Sequence, residues 1–224
     1  MEDALNVNPA CPGPEAITGF AKRPCLQARG KESGGVDPVL GQTACVAETA
    51  PRLSDGVLVL DAFTLLDVAA QLAGEDEEHA RRFGWYPEHS TEETVRTSIL
   101  RWQEEWRSGG RTRTFAARDV HSGELVGGCE IRLRDQGIAE MSYWTFPPHR
   151  GRGLAARAVR LACEYAFSEL AVERMELYVE PGNHASRAVA RKAGFVEEGI
   201  LRSQGVTLSG ARRDMVVYSR LPSD

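Results

Sequence analysis

Trp144-Thr145-Phe146-Pro147-Pro148-His149-Arg150-Gly151-Arg152-Gly153-Leu154-Ala155-Ala156-Arg157-Ala158-Val159 is the stretch that decides the fold. An apolar strand ends at a Pro-Pro break, and a glycine-punctuated loop leads straight into an amphipathic helix. That order builds an anion site, because the first amides of a helix have no intrahelical acceptor and the macrodipole places partial positive charge there. Gly151 and Gly153 let the backbone approach a pyrophosphate without a Cβ in the way. Arg150 and Arg152 add positive charge beside it. Two other nucleotide loops fit poorly. A P-loop needs a Lys-Ser/Thr pair after its last glycine, and none is present. A dinucleotide fingerprint belongs in an N-terminal βαβ unit, whereas Gly151-Arg152-Gly153-Leu154-Ala155-Ala156 lies late in the chain.

Working outward, Thr114–Asp119 and Leu125–Leu133 flank the turn His121-Ser122-Gly123-Glu124, and Asp135-Gln136-Gly137 turns the chain into Ile138–Phe146. Three consecutive antiparallel strands are expected. Upstream, Gly56–Leu60 reads as a first strand and Leu65–Leu72 as a short helix stopping near Gly74. Ser90-Thr91-Glu92-Glu93 reads as a capping box with Ser90 as the N-cap. The helix that it opens carries Val95, Ile99, Trp102 and Trp106 on one stripe and ends at Gly109-Gly110. Downstream come a helix from about Gly153 to Leu170, a strand Met175–Val179, a helix Ala185–Ala193, and strands Phe195–Arg202 and Asp214–Leu221. The pattern is α/β, one mixed-sheet domain over residues 54–224. Residues 1–53, rich in Gly, Pro, Ala and Ser/Thr without a sustained period, are expected to form a disordered or loosely docked tail.

Composition bounds the function. The chain has 224 residues, 42 % hydrophobic and 26 % charged, enough for a real core. A net charge of −5 gives no reason to expect affinity for nucleic acid. No run approaches the ~18–20 apolar residues that span a bilayer, and the N-terminus lacks the basic and apolar regions of a signal peptide. Five widely spaced cysteines, Cys11, Cys25, Cys45, Cys129 and Cys163, form no CxxC, so neither a disulfide framework nor a metal site is indicated. Reduced thiols in a cytoplasm follow.

The loop resembles the coenzyme loop of the GNAT superfamily of acetyl-CoA-dependent N-acetyltransferases, marked by [QR]-x-x-G-x-[GA], here Arg150, Gly153 and Ala155. A second block matches as well: Asn183-His184-Ala185-Ser186, then Ala193-Gly194-Phe195. Glu140-Met141-Ser142-Tyr143-Trp144, Ala166-Phe167 and N-x-x-S resemble the ribosomal-protein-alanine N-acetyltransferase (RimJ/RimL-like) branch. The resemblance covers about three-quarters of the chain. It implies a central sheet with splayed strands flanked by helices, and acetyl-CoA as co-substrate with no metal. The acceptor would be a primary amine on a protein N-terminus or a small molecule, and the protein a monomer or homodimer. It further implies that main-chain groups near Trp144, Thr145 and Phe146 hold the pantetheine, that amides of Gly151, Arg152, Gly153, Leu154 and Ala155 hold the pyrophosphate, and that Asn183 bonds the pantetheine arm.

For the base, Glu140 stands near where several family members carry a catalytic glutamate, with Glu130 as an alternative. A structural ion pair is the competing reading of Glu140. Alternation places Glu140, Ser142 and Trp144 on one sheet face and Met141 and Tyr143 on the other. For the acid, relatives use a tyrosine seven residues after the asparagine, where this chain has Ala190. Ser186 is what the branch offers instead, and a helix first-turn hydroxyl is its competing reading. An acyl-CoA sensor on the same fold, without turnover, is therefore a second expectation. His121, His149 and His184 read as surface groups, Cys129 and Cys163 as small core residues, and Trp85 and Tyr86 as a wall of the acceptor entrance or simple packing.

Overall fold

The computed structural model describes residues 49–83, 89–207 and 210–224. Trp85, Tyr86 and the first 48 residues of the expected tail lie outside the described residues. The sheet order is β1-β2-β3-β4-β5-β6-β8-β7, built from β1 (Leu53–Ser54), β2 (Leu58–Asp61), β3 (Thr112–Asp119), β4 (Leu125–Leu133), β5 (Ile138–Thr145), β6 (Arg174–Val179), β7 (Val196–Val206) and β8 (Arg212–Arg220). All described neighbours pair antiparallel except β5 with β6. The expected mixed-sheet α/β fold is the one observed. Leu53 pairs with Leu60, so sheet pairing begins one residue before the expected boundary at 54.

The helices divide between the two faces. On one face α4 (Leu154–Glu169) and α5 (His184–Lys192) cover Ile131, Met141, Tyr143, Met175, Leu177 and Tyr218. The buried stripe of α4 is mostly small, with Ala155, Ala158, Ala162 and Ala166 flanked by Leu154 and Val159, and small side chains let the helix lie close to the strands. On the other face α1 (Val68–Gly74) and α3 (Glu92–Arg107) bury Phe63, Val68, Val95, Ile99, Trp144 and Phe146 together. The α3 stripe serves both clusters: Trp102 packs with Phe63 at 4.8 Å, while Trp106 meets Phe115 edge-on at 5.0 Å.

Two local expectations shift. The capping box of α3 sits one residue later than Ser90. Thr91 Oγ1 accepts from the Thr94 amide at 3.2 Å, and the Thr91 amide donates to Thr94 Oγ1 at 2.9 Å. Ser90 instead bonds the Glu75 carboxylate, whose pKa burial raises. A further helix, α2 (Glu77–Phe83), was not expected, because a short segment opening on two glutamates presents no apolar stripe to read.

Candidate functional site

The site begins where two strands part. Strands β5 and β6 pair at Ile138↔Arg174, Ala139↔Met175 and Glu140↔Glu176, and no further pair follows. Beyond Glu140, β5 stays with β4 as far as Thr145↔Gly127, while β6 stays with β8 as far as Val179↔Val216. An opening therefore forms between Met141–Thr145 and Leu177–Val179. The Phe146 amide donates to Val126 O at 2.9 Å, toward β4. Strand alternation then turns the main-chain groups of Thr145 and Tyr143 the other way, into the opening. The segment expected to hold the pantetheine borders this opening, and the main-chain groups that face it belong to 143 and 145 rather than evenly to 144–146. The side chains of Trp144 and Phe146 are core: Trp144 stacks with Phe63 at 6.0 Å, and Phe146 packs on Gly74.

The glycine loop follows at once. Pro147–His149 forms one 3-10 turn, and Gly153, in the left-handed region at φ 75°, is the N-cap of α4 with no side-chain cap. The amides of Leu154 and Ala155 at this helix start thus have neither an intrahelical nor a capping partner. A Cβ built at Gly151 or Gly153 meets nothing within 4 Å, so the approach to those amides is open. These residues fit a pyrophosphate. Arg152 stays half exposed, 3.2 Å from His149 Nδ1 and 3.4 Å from Asp119.

Arg150 behaves differently from the sequence expectation of a cation beside the phosphates. Its Nε donates to Thr145 O at 3.1 Å and its Nη1 to Asp76 at 2.7 Å, with Glu78 3.8 Å away. The cause is the seat of Phe146 on Gly74, which brings the acidic turn after α1 against the loop. Arg150 thereby ties that turn to the end of β5.

Asn183 and Ser186 are brought together at the start of α5. Asn183 is the N-cap, and its Oδ1 accepts from the Ser186 amide at 3.1 Å. Ser186 is fully buried, with its Oγ 2.6 Å from the hydroxyl of Tyr143, also fully buried. Tyr143 stands on the part of β5 that has left β6, so this contact crosses from the strand to the helix. Strand alternation in the sequence puts Tyr143 with Met141 on the face opposite Glu140 but gives it no role. Ala190 is buried in the core.

Glu140 sits on the opposite face, 4 % exposed, between two guanidiniums. Arg132 Nη2 lies at 2.8 Å from one carboxylate oxygen and Arg134 Nη2 at 2.6 Å from the other. Arg132 also holds Glu130 at 2.8 Å, and Thr114 donates to Glu130 at 3.0 Å. Both carboxylate oxygens are thus engaged by guanidiniums, as the ion-pair reading of Glu140 expects. The alternation Glu130, Arg132, Arg134 in the sequence carried this signal. Next along the face, Tyr178 donates to Glu176 at 2.6 Å, and burial together with that carboxylate pushes its phenol well above the ordinary value.

The remaining candidates are structural. His149, expected at the surface, is instead buried, its Nε2 3.4 Å from Glu124. Cys129 and Cys163 lie in the core, where burial pushes the Cys163 thiol up to about 12 and Cys129 further still. Among the described residues no cluster of His, Cys, Asp and Glu could hold a metal ion, and no helix is long and apolar enough to cross a membrane.

Comparison with known proteins gives a consistent result. Residues 58–196 match the model of the acetyltransferase (GNAT) domain. The chain is 31 % identical over 156 residues to a Bacillus subtilis protein named "Putative ribosomal N-acetyltransferase YdaF", covering 68 % of this chain and 83 % of that protein. It is 38 % identical over 63 residues to spermidine N(1)-acetyltransferase of Escherichia coli, 28 % of this chain and 34 % of that one. Among solved structures, Mycobacterium smegmatis RimJ in complex with CoA-disulfide superposes with a TM-score of 0.67 at 25 % identity, over 80 % of this chain and 90 % of that chain.

Proposed function

The chain belongs to the GNAT acetyltransferase family and is an acetyl-CoA-dependent acyltransferase, and from that premise we propose that it acetylates a primary amine by direct attack in a ternary complex. The acceptor is a protein N-terminus or a small-molecule amine, a reading supported by relatives named a putative ribosomal N-acetyltransferase and a spermidine N(1)-acetyltransferase. The observation that carries this reading is the opening between β5 and β6, which runs directly into an uncapped, glycine-opened helix start.

In this reading the amides at Gly151–Ala155 bind the pyrophosphate, with Arg152 beside them. Thr145 and Tyr143 offer main-chain groups to the pantetheine, as does the Asn183 side chain. One strand amide polarises the thioester carbonyl and stabilises the oxyanion. The amine nitrogen forms the C–N bond as the C–S bond breaks, and the electron pair leaves on sulfur. Ser186 supplies the proton that sulfur takes. Glu140 takes the amine proton after the half-exposed Arg134 swings away; with both arginines bound it holds β4 to β5. The setting is a cytoplasm, where acetyl-CoA is available, and the protein acts as a monomer or homodimer.

A second reading, coenzyme binding without turnover, draws support from Glu140 lying between two arginines and from Ala190 replacing the family tyrosine. Incubating the protein with acetyl-CoA, peptides with free N-termini and polyamines, and following thiol release, separates the two. Release that depends on one amine class supports transfer. Acetyl-CoA binding with no release across the panel supports the sensor.

A further inference from the structure

The family's acid position, seven residues after Asn183, is the buried Ala190, and an aliphatic side chain cannot donate a proton. A phenol nevertheless reaches the start of α5, from the other side of the opening. Tyr143 and Ser186 are both fully buried, and their hydroxyl oxygens lie 2.6 Å apart. The same phenol oxygen is 3.5 Å from the Ser186 carbonyl, so both acceptors of Ser186 face it. Of the two hydroxyls the phenol is the stronger acid, with a reference pKa near ~10. It is therefore the donor, and Ser186 Oγ the acceptor.

We propose that Tyr143 is a positioning residue for acetyl transfer, donating its hydroxyl hydrogen to Ser186 Oγ so that the serine's own hydrogen is directed at the departing sulfur. The inference rests on the reading of Ser186 as the proton donor. Three constraints then fix the serine. Its amide is held by Asn183 Oδ1 at 3.1 Å, its oxygen by the phenol, and its rotation by complete burial. A hydroxyl that already accepts one hydrogen bond is also more readily a donor, because hydrogen bonds in a chain polarise one another. As sulfur takes the serine hydrogen, the phenol hydrogen passes to the serine oxygen and the charge rests on the phenolate. After the products leave, the phenolate regains through solvent the proton that Glu140 took from the amine. Tyr143 thus does from the strand what a tyrosine on α5 would do from the helix, but through an intermediary.

The test uses the full chain, acetyl-CoA and whichever amine of the panel above is turned over. Tyr143→Phe removes one oxygen and keeps the ring in the core, and thermal unfolding checks that the fold survives. Ser186→Ala is expected to lower kcat about 100-fold, and Tyr143→Phe about 10-fold, within the span of general acid catalysis. The KM for acetyl-CoA should be unchanged in both. In the double variant Tyr143→Phe should cost nothing beyond Ser186→Ala, because its effect passes through the missing hydroxyl. A folded Tyr143→Phe enzyme with the wild-type kcat, or independent multiplication of the two losses, would overturn the proposal while leaving Ser186 as the donor. A fully active Ser186→Ala enzyme, or no turnover of any amine by the wild type, would instead remove the reading on which it rests.

Discussion

Gly74 ends α1 against the ring of Phe146, and replacing it tests whether that contact fixes the glycine loop. A Cβ built at Gly74 lies 2.3, 2.4 and 2.6 Å from three Phe146 ring atoms, whereas carbon atoms pack at about 3.5–4.0 Å. The ring or the helix must retreat by roughly 1 Å for alanine, and further for valine. Overpacking of this kind costs about 1–3 kcal/mol, and valine recovers only about 0.3 kcal/mol of helix propensity over glycine. At about 2–4 °C per kcal/mol for a domain of this size, Gly74→Val should lower Tm by roughly 1–11 °C. Because Phe146 immediately precedes Pro147, Pro148 and the glycine loop, acetyl-CoA affinity should fall as well. The assay is thermal unfolding of wild type, Gly74→Val, Phe146→Ala and the double variant, with calorimetric titration of acetyl-CoA. Phe146→Ala vacates the space, so Gly74→Val should cost little in that background. Equal losses in both backgrounds, or a Gly74→Val protein melting within about 1 °C of wild type, would refute the argument.

Other consequences are as direct. Gly153→Val places a β-branched residue at φ 75°, where left-handed backbone costs about 1–2 kcal/mol, and should weaken acetyl-CoA binding about tenfold in calorimetry. Glu198, held by Arg174 and Ser219, has its pKa lowered from 4.5 to about 2. A carboxylate with a depressed folded pKa contributes stability above its unfolded value and loses it as pH falls through the folded one. Glu198→Gln should therefore flatten the loss of Tm between pH 4.5 and about 2 while leaving the alkaline side unchanged. Cys129 and Cys163, buried and with raised pKa values, should resist a thiol reagent in the native protein and react after denaturation, as read by mass spectrometry of peptides.

Much of the fold was legible because its signals are local and redundant. The α3 stripe, the His121–Glu124 turn and the helix after Gly153 each combine periodicity with a turn or cap. Strand β1 was not, since two residues carry no period, and α2 was not, since its sequence has no apolar face. The cap of α3 moved from Ser90 to Thr91 because adjacent hydroxyls offer the same chemistry, and only the path of the chain from Glu75 chooses between them. At the site, the glycine loop and Asn183 were readable because a helix start needs particular residues at particular offsets. The partners of Arg150 and Ser186 were not, because they come from Asp76 and Tyr143, brought near by α1 and by the path of β5, whereas the alternation of Arg132 and Arg134 did hint at the partners of Glu140. Charge in a sequence does not say what neutralises it.

Acetyl transfer to an amine at the opening between β5 and β6 has a direct chemical readout. It is tested most directly by mixing the protein with acetyl-CoA and an N-terminal peptide or spermidine, and measuring thiol release together with the mass of the amine. Equal amounts of free CoA thiol and of amine heavier by one acetyl group are expected, both abolished without protein. Tight acetyl-CoA binding with no acetylated amine across the panel would contradict it.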